Sequence, residues 1–150
     1  MPKSLTQDEA YNICISEGKL LPIAEVDRGI VESMIAIAEE DLLSIADLKK
    51  KSDRWNTVYK LSYDVLHTLT EAFLMFDSIK SVNHQCLFAY LCVKHPELDL
   101  QWDFFEKVRT KRNGIHYYGA SIHKEDWKAI EVQMSLYVNL LKTEIKKKMV

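Results

Sequence analysis

The chain has 150 residues and a formal net charge of −2, with 47% hydrophobic and 28% charged residues, a balance that fits one globular domain and excludes wholesale disorder. Its 4 glycines and 3 prolines are too few for a many-turned β-sandwich or barrel, so a helical fold is expected. The near-neutral charge excludes a globally basic nucleic-acid binder but leaves room for a local basic patch.

The longest stretch without Asp, Glu, Lys or Arg covers residues 81–93, holds Ser, Asn, His and Gln, and is too short to span a bilayer. The N-terminus has no apolar signal-peptide core. Cys14, Cys86 and Cys92 make an odd count with no CxxC pair, which predicts neither a disulfide scaffold nor a cysteine-rich metal site and fits a reduced, cytoplasmic location.

Thr6 and Glu9 have capping-box spacing for a short first helix ending near Gly18, followed by a connection over residues 19–26 that contains Pro22. Asp27 can cap a second helix to about Lys51, with Ile30, Met34, Ile37, Ala38, Asp41, Ile45 and Leu48 at helical spacing. Ser52 or Asp53 can cap a third helix through about Phe76, striped by Trp55, Tyr59, Ser62, Leu66, Leu69 and Phe73. Ser81 can cap a fourth helix over residues 82–94, broken at His95-Pro96 because proline lacks a donor and restrains its predecessor. A fifth helix begins near Asp99 or Gln101 and runs toward Gly119. A last one spans about His123 to Lys148, with Trp127, Ile130, Met134, Tyr137, Leu141 and Ile145 on one side. Amphipathic helices of this length must bury their faces against one another, so the expected fold is all-α: a four- to five-helix up-and-down bundle over residues 27–150, with an extra N-terminal helix and connection over residues 1–26.

One segment carries more than packing. Residues 104–113 hold Lys107, Arg109, Lys111 and Arg112 against the single acid Glu106, and Asn113, His116, Tyr117 and Tyr118 follow. On a helix turning about 100° per residue, with Arg109 at zero, Arg112 lies near −60°, Asn113 near +40° and His116 near −20°. Two guanidiniums, an amide and an imidazole then share one face. Guanidinium binds phosphate bidentately, imidazole exchanges protons near neutral pH, and Asn can hold the imidazole or an oxyanion. No nearby Asp or Glu is expected to supply a carboxylate partner in the same turn, so the set suits phosphodiester chemistry without a metal rather than a hydrolytic triad. Basic helix faces are also commonly just solvated, and Gly114 either permits a close approach or marks the helix end.

This run resembles the HEPN superfamily (higher eukaryotes and prokaryotes nucleotide-binding domain), whose signature is an Arg, often followed by a polar residue, then a gap of four to six residues to a His. Six residues separate Arg109 from His116, and Tyr118 occupies the His-x-Tyr place of the toxins in HEPN–nucleotidyltransferase pairs. Arg112-Asn113 supplies the Arg-polar dipeptide, with three residues before His116. Trp55, Tyr59-Lys60, Tyr63-Asp64 and Glu71-Ala72 look like the family's second core helix, and Asn83-His84 resembles an archaeal and bacterial subgroup. The resemblance covers about Asp27 to Lys148.

It implies an all-α homodimer acting as a cofactor-free, metal-independent endoribonuclease that leaves 2′,3′-cyclic phosphate ends at a composite cleft between protomers. His116 would be the general acid and base, Arg109 or Arg112 would stabilise the phosphorane, and Asn113 would orient His116 or the phosphate. Lys107, Lys111, Tyr117 and Tyr118 would contact RNA or nucleotide. Tyr118 would also be the modification site for a cognate nucleotidyltransferase antitoxin. The alternative within the family is a non-catalytic module that binds a nucleotide or a protein. His67, His84, His95 and His123 read as structural or surface histidines, the three tryptophans as core or interface anchors, and Lys146 to Lys148 as a solvated tail.

Overall fold

A computed structural model of the chain describes residues 4–51 and 53–150. Six helices follow one another: α1 (Gln7–Ser16), α2 (Arg28–Lys51), α3 (Trp55–Met75), α4 (His84–Lys94), α5 (Trp102–Tyr118) and α6 (Lys124–Met149). The protein is an all-α bundle with one small addition, the two-stranded antiparallel pair β1 (Leu20–Pro22) and β2 (Ile79–Ser81).

Local chemistry sets several boundaries. Thr6 accepts from the Glu9 N–H while the Glu9 carboxylate accepts from the Thr6 N–H, the capping box expected from their spacing. Asp27 Oδ1 accepts from the Ile30 N–H at the start of α2. His95 ends α4, and Pro96 opens a single 3-10 turn, Pro96–Leu98.

Two expected caps are displaced. Arg54, not Asp53, precedes α3 and makes no side-chain cap bond; the other expected cap, Ser52, lies outside the described residues. Asn83 caps α4 by accepting from the Cys86 N–H, while Ser81 belongs to β2 and donates its hydroxyl to the Asn83 carbonyl. The β1–β2 ladder holds residues 79–81 extended, so α4 starts later than the sequence predicts.

The core is organised around α3. Val58, Tyr59, Ser62, Tyr63, Val65, Leu66, Leu69, Thr70, Ala72, Phe73 and Leu74 are all buried, which is burial around most of the helix rather than the single stripe expected. The reason is position: α3 touches α2, α4, α5 and α6. The two buried hydroxyls need no outside partner, because Ser62 and Thr70 donate to the carbonyls of Val58 and Leu66 four residues back. α2 presents Val31, Ala38 and Ile45 at intervals of seven, and leaves Ile30 and Ile37 exposed. Its stripe is therefore rotated from the expected one, since a heptad seam against α3 selects position 31 over position 30. α6 buries Trp127, Ile130, Met134, Tyr137, Leu141 and Ile145, the stripe read from the sequence.

The helices do not simply alternate up and down. His84 at the start of α4 meets His67 in mid-α3, and His95 at its end meets Phe73 near the end of α3. α4 thus runs in the same general sense as α3, and β2 lies in the return between them.

The same ladder overturns the expectation of unpaired cysteines. Leu20 pairs with Ser81, and the Lys19 carbonyl accepts from the Val82 N–H. Cys14 and Cys86, a few residues beyond on either chain segment, reach a Cα–Cα distance of 5.7 Å and form a disulfide joining α1 to α4. Cys92 is free and buried, and burial pushes its thiol up to about 12. No helix among the described residues is long and apolar enough to cross a membrane.

Candidate functional site

α5 is held by Phe104, Phe105, Val108 and Trp102, which are buried on one side, with Phe105 stacked on Phe88 of α4 at 4.7 Å between ring centroids. The expected Arg109–Arg112–His116 face continues the Phe105 line toward the C-terminal half of the helix, Arg109 and Arg112 standing four and seven residues after Phe105, so both guanidiniums are largely covered. The helix continues unbroken through Gly114 to Tyr118 and ends at Gly119, whose φ of +65° is the left-handed C-cap conformation that glycine adopts at little cost. Gly114 therefore marks neither the end of α5 nor a close backbone approach: a Cβ placed there would meet only the Ala120 Cβ, at 3.7 Å.

The two arginines have different surroundings. Arg109 donates from Nε and Nη2 to the two carboxylate oxygens of Glu106, at 2.9 and 3.1 Å, and Gln85 Nε2 donates to the same carboxylate. The guanidinium of Arg109 is thus already engaged bidentately. Arg112 lies over the Tyr63 ring, 5.3 Å from its centroid, with Nη2 3.9 Å from Asp64 Oδ1. Its Nε is buried with no hydrogen-bond partner among the described residues. One turn later on the same face stands His116, exposed, its ring 5.0 Å from that of Tyr117 in an edge contact. Asn113 is half-buried on that side and makes no hydrogen bond to His116.

The remaining predicted residues separate from this group. With α5 unbroken, Tyr118 projects about 180° from Arg109. Tyr117 and Tyr118 are 67% and 86% exposed at the helix end. Lys107 and Lys111 line a different groove of about 550 Å³, alongside Thr110, Gly114 and Ile122, and Lys111 pairs there with Asp126 at 3.2 Å. Arg112, Asn113 and His116 stay together, Arg109 sits beside them in its ion pair, and the lysines and Tyr118 face elsewhere.

Behind Arg112 runs a polar string that the sequence gives no role. Tyr63 Oη lies 2.8 Å from His84 Nδ1, the His84 and His67 rings are 3.9 Å apart, and His67 Nδ1 donates to Glu71 Oε1 at 2.7 Å. Burial raises the Tyr63 hydroxyl above the usual phenol range, the nearby Arg112 opposing it. Burial also raises the Asp64 carboxyl, again against Arg112, whereas the hydrogen bond from His67 lowers Glu71. His84 is pulled down to about 4, first by burial, then by the neighbouring His67 and Arg112. Tyr63, Asp64 and His84 belong to the runs that carry the family resemblance, yet nothing in those runs points to their meeting at Arg112. Only the Glu106–Arg109 pair had a legible signal, the i,i+3 spacing of opposite charges. Among the described residues, no group of three or more His, Cys, Asp or Glu is placed to hold a metal ion.

The depressed His84 has a definite consequence. Between the ordinary histidine value of 6.5 and about 4 the unfolded chain binds a proton at this position that the folded chain does not, so His84 lowers stability as the pH falls through that window. The His84 imidazole resonance should titrate near pH 4 by NMR; a midpoint near 6.5 would contradict the burial described.

No protein-family model, curated protein or solved structure matches the chain.

Proposed function

We propose that the chain is a metal-independent endoribonuclease of the HEPN kind, working through Arg112 and His116 with Asn113 beside them. One observation carries this reading: Arg112, with a buried Nε that has no acceptor, stands one turn before an exposed histidine on the same helix face. An anionic oxygen is the natural acceptor for that donor, because an unpaired buried donor is costly and a phosphate oxygen accepts strongly from guanidinium. Of the two arginines that the spacing leaves open, this favours Arg112, since Glu106 already occupies Arg109.

The chemistry balances with these groups. His116 takes the proton from a ribose 2′-hydroxyl, and the 2′-oxygen forms a bond to the adjacent phosphorus. Arg112 stabilises the charge gathering on the phosphoryl oxygens. The bond from phosphorus to the 5′-oxygen breaks, and the imidazolium returns its proton to that oxygen. The products are a 2′,3′-cyclic phosphate and a 5′-hydroxyl.

A second reading keeps the phosphate contact and drops the cleavage. It is favoured by the Glu106 carboxylate, which removes one cation from the face and leaves a binding site for a nucleotide. Incubation of the purified chain with structured and unstructured RNA in excess EDTA separates the two. Cleavage to 2′,3′-cyclic phosphate ends supports the enzyme. Saturable binding of RNA or nucleotide with every strand intact supports the binding module and overturns cleavage.

A further inference from the structure

The inward side of α6 is occupied by its core stripe, but its outward side is patterned too. Take Leu136 as zero on the helical wheel: Glu125, Ala129, Val132, Leu140, Thr143 and Lys147 all fall within about 40° of it. The line is uncharged from Ala129 to Thr143, with a lone acid at one end and a lone base at the other. Val132 is 72% exposed and Leu136 63%; Glu125, Ala129, Thr143 and Lys147 are exposed as well, and Leu140 half so. The stripe is about 33 Å long, at 1.5 Å per residue. Its uncharged part, Ala129 to Thr143, covers about 21 Å of this; a solvated helix face is ordinarily polar, and an uncharged line of that length marks a contact surface.

We infer that this stripe joins two copies of the chain, α6 against α6, antiparallel about a two-fold axis at Leu136. The end charges select both the occupant and the direction. Reflection of the numbering through Leu136 sets Val132 opposite Leu140, Ala129 opposite Thr143, Leu136 against itself and Glu125 opposite Lys147. A self-complementary patch of this kind is what a two-fold interface requires. A parallel pairing would instead set Glu125 against Glu125 and Lys147 against Lys147. Lys147 is bound within its own helix by Glu144 at 3.2 Å, an exposed pair that yields readily to a new partner. The flanking Lys128 and Lys146 have their own carboxylates, Glu131 and Glu39, so they bring little repulsion to the seam. Arg112 and His116 lie on α5 and take no part in the stripe, so the pairing is independent of the proposed cleavage and differs from a cleft shared through α5.

Sedimentation equilibrium of the full chain tests it. The wild type should be a dimer. Leu136→Asp, a change at an exposed position, should raise the dimer dissociation constant about a hundredfold or more with the helical circular dichroism unchanged. Glu125→Lys should raise it about tenfold, and adding Lys147→Glu should restore it by exchanging the two charges. A wild-type monomer at the highest concentration reached overturns the inference. So does an assembly that Leu136→Asp leaves intact, or a double charge exchange that fails to recover what Glu125→Lys loses.

Discussion

His116→Ala should lower the rate of RNA cleavage by about a thousandfold or more, because it removes the group that carries the proton in both directions and such groups contribute roughly 10²- to 10⁴-fold. The more discriminating comparison is between the two arginines. Arg112→Ala should cost about 10²- to 10³-fold, the usual loss when a preorganised donor to a developing anion is removed. Arg112→Lys should recover little of this, since an ammonium has neither the planar fork nor an equivalent of Nε. Arg109→Ala should cost less than about tenfold, because its guanidinium is already engaged by Glu106 and would reach substrate only by leaving that pair. Single-turnover cleavage with circular dichroism on each variant separates these outcomes from unfolding. Equal losses in Arg109→Ala and Arg112→Ala would show that the ion pair opens in use, and the assignment to Arg112 would fall.

The second large effect is on stability. The Cys14–Cys86 bridge spans 72 positions of sequence, and closing a loop of that size removes unfolded-chain entropy equivalent to roughly 4 kcal/mol. Cys14→Ser, or reduction of the wild type, should lower the unfolding free energy by about that amount in a denaturant titration. α1 should loosen first, since the bridge is its one covalent tie to α4 and the rest of its attachment is non-covalent: the packing of Ala10 and Tyr11, Lys94 Nζ over the Tyr11 ring, and, just before the helix, the indole N–H of Trp102 bonded to the Leu5 carbonyl. Thiol counting of the unreduced, denatured protein should find one free cysteine, Cys92. Three free thiols, or a Cys14→Ser variant as stable as the wild type, would contradict the bridge.

Much of the fold is legible in the sequence where a local rule decides the structure. The Thr6 capping box, the Asp27 cap, the break at Pro96 and the α6 stripe each depend on residues close in the chain. The failures are of another kind. The strands Leu20–Pro22 and Ile79–Ser81 are three residues each, too short to show alternation, and they exist because they pair with one another. The disulfide follows from that pairing, so spacing within a single helix could not reveal it. The burial around α3 follows from its four helical neighbours. For α2, Ile30 and Ile37 fit a helical stripe nearly as well as Val31 does, and only the partner helix decides between them.

The site divides along the same line. That Arg109, Arg112, Asn113 and His116 share a face is a matter of helical periodicity, and α5 is a helix throughout. Which arginine keeps an unpaired donor is not, because it depends on Glu106 at i−3, on Gln85 from α4, and on Tyr63 and Asp64 from α3. The expectation that no nearby carboxylate partners the motif therefore fails at Arg109, which Glu106 engages from one turn earlier in the same helix.

The claim on which the functional account stands is that the Arg112–His116 face of α5 receives the phosphate backbone. NMR of the histidine imidazole C–H and arginine Nε–H signals, during titration with a short RNA blocked against cleavage by 2′-fluoro substitution, addresses it directly. The His116 and Arg112 signals should move together and saturate at one concentration, while the Trp127 indole N–H, turned toward Glu131 on α6, stays in place. Saturable binding that shifts other signals and leaves His116 and Arg112 unmoved would contradict the account.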